Sequence, residues 1–283
     1  MNNYQLPDGN VQIAFSGGRT SGFMLHEILK ANNGLPDRAK VIFTNTGREM
    51  NETYDFIQEC SDRWNVHITW LEYEKKPNER VNYNIVNHNS ASRKGEPFSN
   101  LIDYSKRLPN VYQRFCTQEL KVKTVRRYLV RELKWKKWST AIGIRSDETH
   151  RAKYKGDSKE TEWYPIIPNS ISQRDIISFW KRQSFDLKVT KGFGNCDGCF
   201  LKSEKTLAVL WRLYPQRATW WSEQEHKVFP GKDPKKHIMQ TFKKQLNNGN
   251  SYSELGDLVS RQSDWIFDQE DYFCQTDDGE CTG

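Results

Sequence analysis

The sequence predicts an α/β fold with a doubly wound, mostly parallel sheet, followed by a cysteine-bearing helical segment. Three short apolar runs, at residues 11–15, 41–43 and 67–71, have the length of buried strands. Helical patterns of apolar residues lie between them, near 20–29 and 52–63. Strands that alternate with helices in this way are typical of parallel sheets with crossover helices.

The elements that follow are predicted from similar patterns. Residues 117–133 predict an amphipathic helix, because one side carries Leu120, Val125, Leu129 and Leu133. Beyond it we expect a strand over 138–144, a short extended piece over 164–167 and a helix over 172–180. We expect one domain over residues 1–190, and a Cys-x-x-Cys helical segment with a polar tail over 191–283.

The stretch from residue 75 to residue 110 interrupts the alternation of strands and helices. It is rich in Asn, Ser, Lys and Arg, and one short helix is predicted near 100–106. Long irregular segments inside compact domains are usually lids, binding loops or disordered. A substrate lid is therefore one interpretation of this stretch.

Composition and charge narrow the classes of protein. The chain has 283 residues and a net charge of +7, which favours anionic partners such as nucleotides or nucleic acid, or reflects a merely basic surface. No apolar run approaches the roughly 18 residues of a membrane span. The first five residues show no basic region followed by an apolar stretch. We expect a cytoplasmic protein without membrane contact.

A Ser/Gly turn joins the first strand to the first helix, and it predicts a phosphate site. Gly17 and Gly18 let the backbone approach an anion closely, and the helix N-terminus faces it. Ser16, Thr20 and Ser21 offer hydroxyl groups, and Arg19 offers a charge. The alternative is an ordinary turn that caps a helix.

Residues 15–21 resemble the PP-loop, SGGxxS, of the N-type ATP pyrophosphatases, which belong to the adenine nucleotide alpha hydrolase-like superfamily. Further segments resemble motifs of its phosphoadenosine phosphosulfate (PAPS) reductase-like branch, in the same order: 43–49 with 52–54, 114–117 with Leu120 and Lys121, 143–148 with Arg151, and 164–166. The matches cover roughly residues 11–203.

The resemblance implies that ATP, or PAPS, binds with its phosphates on residues 16–21 and with Mg²⁺. Asn45, Thr46 and Gly47 after the second strand, and Gly143 after the fourth, would lie around the nucleotide. Lys121 and Arg145 would be catalytic and stabilise developing negative charge; otherwise they are solvated surface charges.

The sequence leaves open which residues would hold Mg²⁺. Many ATP-using members of the superfamily carry an Asp, which helps to hold the metal, where this chain has Thr20. Glu49 is either a metal ligand or a charge at a helix N-terminus.

Cysteines predict a metal centre. Cys196 and Cys199 form a Cys-x-x-Cys turn between glycines, and the family fold would bring Cys116 close to them. Thiolates suit an iron–sulfur cluster, with zinc or no metal as alternatives. Cys60, Cys274 and Cys281 are candidates for a fourth ligand.

The last residues add an alternative function. Glu280 and Cys281 partly match the Glu-Cys-Gly motif with which sulfonucleotide reductases attack sulfur. Cys281 is therefore a candidate catalytic nucleophile, and otherwise part of a flexible terminus.

A third group of residues suggests a nucleic-acid acceptor. Lys and Arg crowd the helix over 117–133 and its end, and Trp135 and Trp138 lie among them. Such a face could follow the phosphate backbone of tRNA or DNA. The alternative is a solvated face with the tryptophans in the core.

These observations favour a PP-loop ATP pyrophosphatase that adenylates an acceptor for sulfur transfer. The alternatives are a thiol-dependent reductase of PAPS or adenylylsulfate, and a nucleotide-binding module without catalysis. The sequence predicts no oligomeric state.

Overall fold

A computed structural model describes residues 3–110, 112–152, 159–229 and 249–261. Its strands are β1 (Val11–Ala14), β2 (Ala39–Asn45), β3 (Ile68–Glu74), β4 (Asn82–Val86), β5 (Trp138–Ala141) and β6 (Glu160–Trp163). Its α-helices are α1 (Arg19–Asn32), α2 (Asn51–Arg63), α3 (Glu96–Ser105), α4 (Lys123–Arg131), α5 (Gln173–Lys181), α6 (Glu204–Leu213), α7 (Pro215–His226) and α8 (Tyr252–Arg261). A π-helix over Thr117–Val122 leads into α4, and 3₁₀ turns span Ser146–Arg151 and Ile167–Asn169.

The six strands form one sheet in the order β4-β3-β2-β1-β5-β6. Every neighbouring pair is parallel except β3 and β4. Ile13 in β1 lies beside Val41 of β2 on one side and Ala141 of β5 on the other. The chain therefore leaves β1 toward β2 and β3, and returns to its opposite side with β5 and β6. This topology confirms the predicted doubly wound α/β fold.

The two faces of the sheet pack against different helices. The alternating side chains Val41 and Phe43 face a core shared with α1, α2 and α5, in which Trp180 is nearly fully buried. Ile42, on the other face, packs with Val125 and other residues of α4. Successive residues of a strand point to opposite faces, so this division follows from the strand period of two.

The stretch over 75–110 is more regular than its composition suggests. It contains β4, which pairs with β3 in antiparallel register, and α3. β4 is an edge strand with mostly polar, exposed residues, which hides it from a search for apolar runs. An extended piece was expected at 164–167. In the structure the strand β6 ends just before this piece, at Trp163, and the 3₁₀ turn begins within it, at Ile167.

The helices beyond residue 191 share a core with the earlier part of the chain. Phe98 and Ile102 of α3 pack in one apolar cluster with Trp211 of α6, Trp221 of α7 and Leu255 of α8. The predicted domain division at residue 190 stays a prediction. In the part of the chain that the structure describes, no helix has both the length and the apolar character to cross a membrane.

A buried carboxylate holds α8 against α7. Glu225 is fully buried and accepts hydrogen bonds from the backbone N–H groups of Tyr252 (3.0 Å) and Ser253 (2.9 Å). These N–H groups belong to the first turn of α8, where no helical carbonyl is available to them. A negative charge at a helix N-terminus is also favourable electrostatically.

We therefore expect Glu225→Ala to lower the free energy of unfolding by about 1–3 kcal/mol, because buried amide donors lose their acceptor. Urea unfolding measures the change. Glu223→Ala is the matched control, since Glu223 lies on the same helix but is exposed. Equal stabilities of the two variants would contradict this role for Glu225.

Candidate functional site

Two serines organise the loop between β1 and α1. The hydroxyl groups of Ser16 and Ser21 lie 3.0 Å apart, and Ser21 Oγ donates to the carbonyl of Gly18 (2.9 Å) and accepts from the backbone N–H of Ser16 (3.2 Å). Gly18 is the N-cap of α1 and provides no side chain to satisfy the first N–H groups of the helix. A helix N-terminus of this kind, behind a glycine turn, is suited to an anion.

Gly17 is required by the shape of this loop. Its φ is +79°, a conformation that residues with a Cβ rarely adopt. A Cβ at this position would lie 2.7 Å from Cγ2 of Thr53 and 2.8 Å from Cδ1 of Ile57. α2 therefore packs directly against the loop between β1 and α1, which we call the phosphate loop after its predicted ligand, and any side chain at Gly17 would push this loop away.

A cavity of about 320 Å³ opens beside the loop, between the sheet and the continuous helix that the π-helix and α4 form. We call it the main cavity, and its volume is in the range of small-molecule sites. Five of the candidate site residues from the sequence line it, namely Ser16, Ser21, Glu49, Lys121 and Gly143. Lining residues that the sequence did not single out include Gln12, Gln118, Arg126, Glu160, Glu162 and Asn195.

Arg145 follows β5 and is buried, with about 5% of its surface exposed. It donates to Asp147 (3.0 Å), pairs with Glu148 (3.3 Å) and lies 3.5 Å from the hydroxyl of Thr20 in α1. Burial opposes ionisation of Asp147, but the hydrogen bond from Arg145 and a backbone N–H outweigh it, and the pKa of Asp147 is lowered. Arg145 thus connects the turn after β5 to the helix of the phosphate loop.

Arg19 lies in the loop but is held by another segment. Its guanidinium donates to both carboxylate oxygens of Asp186 (2.8 and 3.0 Å) and to the carbonyl of Leu187 (2.6 Å). A contact between Arg19 and a phosphate stays a prediction, and it would require this pair to open.

The turn after β2 is built from its own hydrogen bonds. The amide of Asn45 donates to Glu72 (2.6 Å) and to the carbonyl of Ser92 (2.8 Å), and its oxygen accepts from the N–H of Gly47 (2.9 Å). Asn45 is fully buried. It fixes the turn and ties β2 to β3, and its predicted contact with the nucleotide stays a prediction.

Glu49 closes the same turn. Its carboxylate accepts from the hydroxyl and the backbone N–H of Thr46 (2.8 and 3.1 Å) and from the N–H of Arg48 (3.2 Å). It lies just before α2 and also lines the main cavity. Both interpretations of Glu49, the structural charge and the metal ligand, are compatible with this position.

Cys116, Cys196 and Cys199 line one small cavity of about 30 Å³, which we call the cysteine cavity. Burial, reinforced by nearby Asp197 and Glu49, raises the pKa of the Cys196 thiol. Within the described ranges, no group of three His, Cys, Asp or Glu residues is spaced to hold a metal ion. Cys60 belongs to α2 and is buried in the core that this helix forms with the sheet. Cys274 and Cys281 lie outside the described residues.

One of the two residues between the cysteines of the turn, Asp197, anchors this cavity. Asp197 is fully buried. Its carboxylate accepts from Arg48 (3.2 and 2.6 Å), Arg217 (2.6 Å) and the indole N–H of Trp221 (2.7 Å). The guanidinium of Arg48 also lies 4.4 Å from the ring of Trp220. The sequence patterns do not predict this network, and its one signal is the acid inside the Cys-x-x-Cys turn.

Two residues line both cavities: Lys121 of the π-helix and Asn195, which precedes the cysteine turn. The main cavity and the cysteine cavity therefore share a wall. Lys121 was predicted from its motif. Asn195 has no pattern of its own, and its position next to Cys196 was the only signal in the sequence.

The tryptophans and the basic residues near α4 lie in different environments. Trp138 is buried and Trp135 half-buried, so these rings belong to the core. Several cations remain exposed, namely Lys123, Arg131, Lys134, Lys136 and Lys137. Lys123 pairs with Glu119 of the preceding π-helix. The nucleic-acid partner stays a prediction.

Removal of the Asp197 carboxylate should be costly, because two guanidinium groups would remain without their counter-charge. We expect Asp197→Ala to lower the free energy of unfolding by about 3–5 kcal/mol, the range for a broken buried pair. Asp103→Ala is the control, since Asp103 pairs with Lys227 at the surface, where about 0–1 kcal/mol is expected. Equal losses in chemical denaturation would contradict the proposed anchor.

Comparison with known proteins identifies the family. Residues 10–184 match the phosphoadenosine phosphosulfate reductase domain. The uncharacterized nin region protein ORF290 of Escherichia phage lambda is 29% identical over 201 residues, which cover 70% of this chain and 68% of that protein. PAPS reductase from Candida auris, solved as a phosphate complex, has 14% identity, a TM-score of 0.40, and coverage of 63% of this chain and 74% of that one. The family match spans more than half of the sequence, and the chain belongs to the phosphoadenosine phosphosulfate reductase domain family.

Proposed function

We propose that the protein binds an adenine nucleotide in the main cavity, splits ATP between its α- and β-phosphates, and adenylates an acceptor for sulfur transfer. One observation carries this proposal: the loop of Ser16 and Ser21, at a helix N-terminus without a side-chain cap, forms one end of a cavity whose volume is in the range of small-molecule sites. Apolar residues in the same cavity, among them Ile42 and Val125, offer a surface for a base. The net charge of +7 favours an anionic ligand.

Positive charges would assist the reaction in two ways. In adenylation a nucleophile attacks the α-phosphorus and pyrophosphate leaves, so negative charge builds up on phosphate oxygens. Lys121 lines the main cavity and would stabilise that charge directly. Arg145 acts through its neighbours in this proposal, because its guanidinium contacts Thr20 in the loop helix and two carboxylates.

Mg²⁺ would have to be held differently from relatives with an acidic loop. Residues 16–21 include no Asp or Glu, so the loop provides no carboxylate. Thr20, at the position of the usual acid, is fully buried and lies beside Arg145. Mg²⁺ is usually bound by one or two carboxylates together with substrate phosphates. Glu49, which lines the cavity, is our candidate ligand.

The cysteine cavity supports a metal proposal by the chemistry of its donors. Cys116 lines one space with Cys196 and Cys199, which are distant from it in the sequence, and thiolates are the usual ligands of iron–sulfur clusters. We propose that Cys116, Cys196 and Cys199 hold a cluster, which would supply sulfur or redox chemistry beside the nucleotide. A cavity of about 30 Å³ must widen to take it. Zinc is the alternative metal.

The reductase of PAPS or adenylylsulfate is the second candidate function, and the family match favours it. Its nucleophile would be Cys281, which lies outside the described residues. A tRNA or DNA acceptor would belong to the first function. A module without catalysis would bind ATP but show no turnover with any acceptor.

Calorimetry on anaerobically prepared protein tests the first function. We expect wild type to prefer ATP with Mg²⁺ over PAPS and adenylylsulfate, and Gly17→Ala to weaken ATP binding at least about tenfold, because its Cβ collides with α2. Gly9→Ala is the matched control: Gly9 has the same φ of +79°, but nothing lies within 4 Å of its Cβ position. Preference for a sulfonucleotide would support the reductase, and Cys281→Ser would then be the next variant.

Metal analysis tests the second part of the proposal. Protein purified without oxygen should be brown and contain iron and sulfide, and Cys116→Ala, Cys196→Ala and Cys199→Ala should each reduce the iron content. Cys60→Ala is the control, since Cys60 lies in the core away from the cavity. A colourless, iron-free wild type would refute the cluster, and zinc in the same sample would support the alternative.

A further inference from the structure

Asn195 occupies an unusual position between the two cavities. It lines both the main cavity and the cysteine cavity, and only about 7% of its surface is exposed. Its φ is +57°, in the left-handed region. Asn tolerates this conformation better than most residues, but it still costs energy relative to Gly. A nearly buried amide residue therefore lies in the wall that the two cavities share.

The segment around Asn195 is fixed on both sides by buried charges. On the N-terminal side, the ammonium of Lys202 donates to the carbonyls of Gly192 (2.7 Å) and Gly194 (2.6 Å). On the C-terminal side, Asp197 is held by two guanidinium groups, and its backbone N–H donates to the carbonyl of Arg48 (2.9 Å). Side chains held by a rigid surrounding are suited to positioning a ligand.

The amide of Asn195 has the right chemistry for a phosphate oxygen. It donates hydrogen bonds without adding a charge, whereas the neighbouring Lys121 adds a full positive charge. Both residues line the same cavity as Ser16 and Ser21. A nucleotide phosphate on the loop would then have donors on two sides, from α1 and from the wall.

We propose that Asn195 is a ligand-binding residue that donates a hydrogen bond from the cysteine turn to a phosphate oxygen of the bound nucleotide. The inference rests on the proposed nucleotide site and deepens it, since it names the residue through which the cysteine turn contacts the substrate. Any rearrangement of that turn at its cysteines then changes the affinity for the phosphates and leaves the affinity for the nucleoside unchanged.

Isothermal titration of the full chain with ATP and Mg²⁺, inorganic pyrophosphate and adenosine tests this inference. Asn195→Gly keeps the backbone conformation and removes the amide, and it should weaken ATP and pyrophosphate binding about tenfold, the usual value of a hydrogen bond to a charged group. Asn195→Asp keeps the size of the side chain but adds a negative charge, and the loss of ATP and pyrophosphate affinity should approach about a hundredfold. Adenosine affinity should stay within twofold of wild type in both.

Asn65→Gly and Asn65→Asp are the matched controls. Asn65 also has a left-handed backbone (φ 47°), but it is exposed at the end of α2 and lines neither cavity. Its variants should bind all three ligands like wild type. The unfolding midpoint and iron content of each variant separate a folding defect from a lost contact, and Asn195→Ser replaces a variant that does not fold.

The outcomes are distinct. Wild-type affinity for ATP in Asn195→Gly and Asn195→Asp would overturn the inference and leave the proposed function intact. An equal loss of adenosine and ATP binding would also overturn it, because it would indicate a merely structural residue. If wild type binds neither ATP nor pyrophosphate, the proposed function itself fails, and this inference fails with it.

Discussion

The ionic contact between Asp197 and its two arginines determines how the C-terminal part meets the sheet. Its three members come from the cysteine turn, from the turn after β2 and from α7. The carboxylate is fully buried, and a charge in such a place is tolerated only when it is paired and hydrogen-bonded. Arg217 also donates to the carbonyl of Glu49, so the same contact reaches the wall of the main cavity. The cysteine turn therefore cannot shift without a shift in the turn that follows β2.

The second constraint is the order of the strands. β1 lies between β2 and β5, and the chain leaves and returns on opposite sides of it. Loops at the carboxyl ends of such strands diverge and leave a crevice, which is where open α/β sheets bind their ligands. The phosphate loop, the turn with Glu49 and the segment with Gly143 all lie at this edge. Gly17 allows α2 to pack against the loop, and so the crevice stays close to the core.

Much of this arrangement could be predicted from the sequence, and the failures have physical causes. β1, β2 and β3 are largely buried, so their mostly apolar residues form visible runs, and β5 was predicted although Ser139 and Thr140 interrupt its apolar residues. β4 and β6 lie at the two edges of the sheet and carry polar residues, and therefore gave no such run. The serines of the loop were predicted because their spacing with two glycines is restrictive. Asn195 was not predicted, because a single amide forms no pattern until the fold brings it beside Lys121.

The π-helix over Thr117–Val122 has a consequence for the register of the helix that carries Cys116 and Lys121. Leu120, in the π-helix, packs in the apolar cluster of α3 and α6, whereas Val125, five positions later, packs with Ile42 of the sheet. A π-helix has hydrogen bonds from residue i to residue i+5, so it spaces these two side chains around the axis differently from an α-helix. Removal of one residue from the segment would restore α-helical spacing, and the part before it would turn by about 100° relative to α4. Cys116 would then leave the cysteine cavity while Val125 kept its place under the sheet. The alignment of the thiols with the nucleotide wall thus depends on a single inserted residue.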